Sequence, residues 1–171
     1  MATSAPPNAP GAAESADAPS PEPPGGVLFV CTHNAIRSPM AGALYAKLLG
    51  GARPVATAGV HSEGLLDPFA AAVLREIGLD ISSHHPQTLA DIEARGGDVA
   101  AFEAIVALSA EAAERAQAYG GPEAPVEFWD APDPTQAGDD PAERLAACRR
   151  LRETLSDRIR RRFSTAAQRP D

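Results

Sequence analysis

The 171-residue sequence has only two cysteines, too few for a disulfide framework. Its four histidines are scattered and no Cys-x2-Cys pair accompanies them, so a structural zinc site is not expected. Aromatic residues make up just 5%, which leaves little flat surface for building a deep aryl slot. No apolar run approaches the ~18 residues of a transmembrane helix, so no membrane span is expected. Positive charge is scarce as well. The net charge is -8 and the pI near 5.0, which argues against a nucleic-acid partner needing a basic face.

What remains is an ordinary globular composition, 44% apolar and 22% charged, of a length for one domain plus a tail. The tail is residues 1–24, rich in proline, alanine and serine and almost without large apolar side chains. Such a stretch cannot offset the entropy of ordering itself, so it reads as disordered. It also lacks the basic start and apolar centre of a secretory signal, so a cytoplasmic protein is expected. Residues 25–165 are then the folded unit.

Within that unit strands alternate with helices. Val27–Cys31 is a buried strand by its continuous apolar run. Ser38-Pro39 has the chemistry of an N-cap and first helical residue, followed by Met40, Leu44 and Leu48 at helical spacing and a stop at Gly50-Gly51. Further strands are expected at 53–58, 102–108 and 125–129. Asp67-Pro68 opens a second helix that stops at Gly78, Ser109 caps another running to about Tyr119, and Asp139-Asp140-Pro141 opens the last, to about Phe163. The segment 90–101 is either a mobile loop or a short helix. This order predicts an α/β fold: a small open parallel four-stranded sheet with helices on both faces, its chemistry beyond the carboxyl ends of the strands.

Charge is divided along the chain. Residues 1–143 hold 20 acidic and 6 basic groups, residues 144–171 hold 3 acidic and 9 basic. The arginines of the last helix read as a solvated face, with Leu145, Cys148, Leu151, Leu155 and Ile159 turned inward; a docking surface is the alternative.

The segment Cys31-Thr32-His33-Asn34-Ala35-Ile36-Arg37-Ser38 joins the first strand to a helix N-terminus. Five residues between cysteine and arginine are enough to curl around one tetrahedral anion, with successive amides forming a nest and the helix end adding positive potential. Arg37 can grip two oxygens at once. The same positive field favours the thiolate of Cys31, making it a nucleophile aimed at a bound phosphorus. Thr32, His33, Asn34, Ala35, Ile36 and Ser38 are the candidate substrate-binding residues. A proton donor for the leaving oxygen is sought past the fourth strand, in Trp129-Asp130-Ala131-Pro132-Asp133-Pro134-Thr135. Asp133, stiffened by a proline on each side, is the candidate general acid, and Asp130 its rival. The amide cradle and Arg37 carry the charge, so no metal or cofactor is called for.

These two motifs, in this order and spacing, resemble the low-molecular-weight protein tyrosine phosphatase family, over roughly residues 27–163. VLFVC-THNAI-RSPMA carries most of the likeness, with Thr57-Ala58-Gly59-Val60 and Gly64-Leu65-Leu66-Asp67-Pro68 between it and the Asp-Pro loop. The resemblance implies that Cys31 is the nucleophile, Arg37 the phosphate clamp and Asp133 the general acid, with Asn34 holding the loop and Ser38 hydrogen-bonding the thiolate. It implies a metal-independent phosphomonoesterase working through a phosphocysteine, with a phosphotyrosine protein or a small phosphate ester as substrate. A monomer or weak dimer is expected.

Four residues depart from the family pattern. His33 stands where glycine is usual and so lines the mouth. Ile36 replaces a second cysteine, Thr135 a tyrosine, and Thr32 a larger apolar residue. Trp129 and Phe69 are candidates for the missing aromatic walls, or else core. The related arsenate reductases share the anion loop. The thioredoxin-linked kind needs further cysteines, whereas Cys148 reads as a packed core residue. An arsenate reductase using an external small thiol is therefore the alternative enzyme, and a catalytically silent phosphate-binding relative the alternative without turnover. His84-His85-Pro86 reads as a surface turn, and His61 and Glu63 as possible rim residues.

Overall fold

Strand β1, Val27–Cys31, is buried along its whole length because it lies inside a sheet covered on both faces. The computed structural model describes residues 25–51, 53–62 and 64–164; the expected tail at 1–24, and Glu63, lie outside them. The order that follows is α1 (Arg37–Leu48), β2 (Val55–Gly59), α2 (Pro68–Arg75), α3 (Leu89–Ala94), a 3-10 turn (Val99–Ala101), β3 (Ala104–Ala107), α4 (Ala110–Gly120), β4 (Val126–Phe128), a second 3-10 turn (Pro134–Ala137) and α5 (Pro141–Phe163). The four strands are all parallel, in the order β2-β1-β3-β4. The expected α/β fold is present.

The period-two rule divides the core into two layers. Val27, Phe29 and Cys31 of β1, with Ala104 and Val106 of β3, face the helices α1, α2 and α5. Leu28 and Val30, with Ile105 and Ala107, face α3 and α4. On α5, Cys148, Leu151, Leu155 and Ile159 are buried at spacings of three and four, as the sequence pattern predicts. Four of its arginines are engaged in ion pairs: Arg149 and Arg152 with Glu76 just past α2, Arg162 with Glu127 of β4, and Arg161 with Asp157. Phe29, Tyr45, Trp129 and Phe163 form a mostly edge-to-face cluster in the first layer, with Trp129 and Phe163 tilted against each other. No described helix is long and apolar enough to cross a membrane.

Several boundaries differ from the sequence pattern. Asp67, Ser109 and Asp140 do cap their helices, each accepting a backbone N–H in the first turn. Ser38 does not cap α1. The helix begins at Arg37, Ile36 occupies the cap position with no side-chain bond, and the serine hydroxyl is turned to other partners. The second strand is shifted C-terminally, to 55–59. The stretch 90–101 is divided between α3, which starts at a Thr88–Asp91 capping box, a short link at 95–98 and the 3-10 turn.

Candidate active site

β1 pairs with β2 on one side and β3 on the other, so the chain leaves its carboxyl end at the point where the connections diverge. Open α/β sheets have their ligand crevice there. The loop 32–36 curls at this point before α1 starts. Its tight path needs one residue in the left-handed region, and Asn34, at φ 56°, is the only non-glycine there among the described residues.

Asn34 is fully buried and fully bonded. Its amide donates to Ser38 Oγ at 2.7 Å and Thr57 Oγ1 at 3.0 Å. Its Oδ1 accepts from the Gln87 backbone N–H at 2.9 Å and lies 3.0 Å from His84 Nε2, which also lies 3.2 Å from the Asn34 carbonyl oxygen. Burial holds the His84 imidazole below its ordinary pKa, favouring the neutral ring. The pair His84-His85 is therefore not simply a surface turn. His84 turns inward to brace the anion loop from behind, while His85 stays exposed. Gly59, at the end of β2, makes this approach possible. A Cβ there would lie 2.8 Å from both the His33 carbonyl carbon and the Asn34 nitrogen.

Cys31 Sγ, 2% exposed as a residue, is the focus of three groups. The Asn34 N–H reaches it at 3.2 Å, the Ser38 N–H at 3.4 Å, and Ser38 Oγ lies 2.9 Å away. The serine has one hydroxyl proton and two acceptors, the sulfur and the Ala58 carbonyl at 3.3 Å. The Asn34 amide already donates to Ser38 Oγ, which leaves that proton free to turn to sulfur as charge builds there.

Arg37 is 9% exposed and held by groups just past the carboxyl ends of three strands. Its Nη1 donates to the carbonyls of Ala131 at 3.2 Å and Leu108 at 3.4 Å, just past β4 and β3. Its Nη2 donates to Thr32 Oγ1 at 3.2 Å, and that hydroxyl in turn donates to Ser109 Oγ at 3.0 Å. The guanidinium is thereby locked in one rotamer.

Asp133 caps the second 3-10 turn. Its Oδ1 accepts from the Thr135 N–H and hydroxyl at 2.9 and 2.8 Å, leaving Oδ2 4.0 Å from Arg37 Nη2. Cys31, Arg37 and Asp133 line one cavity of about 440 Å³ together with His33, Ala35 and Ile36 of the loop, and with Leu65, Asp67, Thr135 and Gln136. Thr32, Asn34 and Ser38 stand behind this lining and shape it through hydrogen bonds. Asp130 is elsewhere, on a hollow beside Phe128 and Arg158. Trp129 packs in the aromatic cluster and Phe69 against the core; neither lines the cavity. Cys148 is buried in the same layer as Cys31, and burial pushes its thiol up to about 11. His61 pairs with Glu111 at 2.9 Å and its ring stands 5.8 Å from that of His33.

Thr57, His84, Gln87 and Ser109 are site-building residues that the sequence pattern does not single out for that role. They meet the loop only through strand pairing and loop return, at separations of 23 to 77 residues, so no local spacing marks them. The doubled histidine and the Thr57-Ala58-Gly59-Val60 likeness are the signals that could have pointed to two of them.

Residues 26–163 match the model of the low molecular weight phosphotyrosine protein phosphatases. The chain is 30% identical over 135 residues to an arsenate reductase of Bacillus licheniformis, covering 79% of this chain and 92% of that one. Among solved structures, a low-molecular-weight protein tyrosine phosphatase from T. tengcongensis superposes with a TM-score of 0.62 at 27% identity, covering 79% of this chain and 95% of that one. An oxidised arsenate reductase shares the fold, with a TM-score of 0.64 at 21% identity, covering 80% and 94%.

Proposed function

The chain belongs to the low molecular weight phosphotyrosine protein phosphatase family and is an enzyme of that superfamily; on this footing we propose that it is a metal-independent phosphomonoester hydrolase. The observation that carries the reading is the convergence of the Cys31 sulfur, its three surrounding donors, the anchored Arg37 and the free Asp133 oxygen on one cavity.

A phosphate ester enters with its equatorial oxygens on the loop amides and Arg37, which neutralise them without a metal. The Cys31 sulfur attacks phosphorus in line, the P–O bond to the leaving group breaks, and Asp133 gives that oxygen its proton. The product is a phosphocysteine. Asp133, now ionised, takes a proton from a water whose oxygen attacks phosphorus. The P–S bond breaks, the sulfur keeps its electron pair, and Ser38 Oγ turns its proton toward it. Inorganic phosphate leaves. Phosphotyrosine proteins or small phosphate esters are the substrates this chemistry serves.

A second reading is favoured by the arsenate reductases among the relatives. Arsenate would condense with Cys31 with loss of hydroxide, and an external small thiol would then attack the sulfur. That releases arsenite, two electrons reduced, and leaves a mixed disulfide that a second thiol resolves. The external thiol is needed because Cys148 is buried, with its thiol held high at about 11.

The test is hydrolysis of p-nitrophenyl phosphate without added metal, by wild type and Cys31→Ser. Turnover that the serine variant loses by at least ~10⁴-fold supports the hydrolase. A folded protein that binds vanadate, leaves the ester intact and consumes thiol with arsenate overturns it in favour of the reductase.

A further inference from the structure

A second cavity, of about 560 Å³, opens at the outer edge of β2 and shares no lining residue with the one over Cys31. That size suits a small organic ligand. Pro39 and Ala43 of α1, Val55 of β2 and Pro86 give it apolar surface; Asp91 and Arg95 give it polar groups. Its wall is also the brace of the anion loop. Thr57, His84 and Gln87 line it, and the same three residues hold the Asn34 side chain. Gly42 brings α1 so close to this wall that a Cβ there would lie 2.6 Å from Thr57 Cγ2.

The wall holds a cation short of partners. Arg95 is half-buried and enters no ion pair among the described residues. Its guanidinium donates from Nη2 to Gln87 Oε1 at 2.5 Å, while its buried Nε has no hydrogen-bond partner among the described residues. Asp91, four residues earlier on α3, turns Oδ2 to the Thr88 N–H at 2.9 Å instead. A guanidinium so placed takes a planar anion. Asp91 on the same wall opposes a second negative charge, so a carboxylate fits here and a phosphate dianion does not.

We propose that this cavity is an effector site for a small organic monocarboxylate, its head on Arg95 and its apolar body against Pro39, Ala43 and Val55, and that occupation reinforces the anion loop through Thr57 and Gln87. The ligand gains its contacts only where these two residues stand in place, so it favours the arrangement in which both hold Asn34. An oxyanion over Cys31 needs the same arrangement. The two ligands therefore assist each other, by the same factor in each direction. The proposal rests on the anion loop of the reading above and is indifferent to whether that loop serves hydrolysis or reduction.

The experiment titrates the full chain with hexanoate, followed by amide chemical shifts, with and without saturating inorganic phosphate; hexan-1-ol is the uncharged control. Saturable binding is expected, with the largest shifts around Ala43, Val55, Gln87 and Arg95, and the alcohol at least about tenfold weaker. Phosphate tightens hexanoate about fivefold, and hexanoate tightens phosphate equally. Arg95→Gln loses about tenfold in hexanoate affinity. Ala43→Phe, which fills the cavity, abolishes hexanoate binding in a protein that still binds phosphate. No saturation up to about 50 mM, an alcohol as tight as the acid, or an affinity that neither substitution changes overturns the site. Direct competition between hexanoate and phosphate places the probe over Cys31 and overturns it as well. Phosphate affinity unchanged or lowered at saturating hexanoate overturns the effector role. A protein that binds hexanoate in this cavity but no phosphate at all overturns the anion-loop reading, and the coupling with it.

Discussion

The floor and the mouth of the cavity are built on opposite terms. On the floor, every polar atom of the Asn34 side chain is paired, Arg37 is fixed by two carbonyls and a hydroxyl, and Cys31 is 2% exposed. At the mouth, Leu65 is 85% exposed, His33 faces solvent, and Asp133 is held only through its own turn and Arg37. The floor is over-determined, so its geometry precedes any ligand. The mouth has few constraints, so its residues can change without disturbing the fold. The difference teaches that, in the proposed hydrolase, anion binding belongs to the folded core and selectivity to a thinly supported rim.

Removing the mouth carboxylate gives the sharpest separation. Asp133→Asn keeps the turn and is expected to lower kcat by roughly 10²–10⁴-fold. The loss should grow as the leaving group becomes more basic, with thermal stability and inorganic phosphate binding nearly unchanged. A melting temperature that falls together with activity would place Asp133 with the floor and break the comparison.

Asn34→Ala attacks the floor and should do the reverse. It leaves Gln87 N–H, His84 and Thr57 short of partners inside the protein, a cost of about 2–4 kcal/mol seen in denaturant unfolding. Phosphate binding should weaken in the same variant, because the φ 56° position is also strained for alanine. A stable Asn34→Ala protein with intact phosphate affinity would show that the loop is not held through this side chain.

The smallest effect is one of pH. Burial lowers the His84 pKa below the ordinary imidazole value of about 6.5, so above pH 7 the folded and unfolded chains both carry mostly the neutral ring and little is at stake. As pH falls through 6.5, the unfolded chain binds a proton that the folded one resists, and stability declines until pH passes below the folded value. Unfolding midpoints measured from pH 7.5 to 5 should show this decline in wild type and a shallower one in His84→Gln. Identical slopes would remove His84 from the floor's account.

Much of the site is readable in a linear stretch because its chemistry is local. A cysteine, five residues and an arginine mark a candidate anion loop once an apolar strand precedes them and a helix follows. The alternation of strands and helices, and the caps at Asp67, Ser109 and Asp140, are likewise set by neighbours in the chain. Ser38 shows the limit. Its local signature suits an N-cap, yet Asn34 and Cys31 claim its hydroxyl, and the helix starts one residue earlier with no side-chain cap. Trp129 shows it again: a tryptophan beside the Asp-Pro loop has the makings of a pocket wall, but Phe29 and Phe163 draw it into the core.

By itself, then, the order of residues determined the parallel α/β class, the candidate anion loop at 31–38 and the Asp-Pro turn, because each depends on periodicity, turn chemistry or close spacing. Only the tertiary structure decided that Asp133 and not Asp130 shares the cavity of Cys31, and that His84, Thr57 and Gln87 hold Asn34. It alone left His33 as the one ring at the mouth. Those outcomes depend on which strand ends meet at the sheet's carboxyl edge and on who wins the competition for buried space, and neither is written in any short window of sequence.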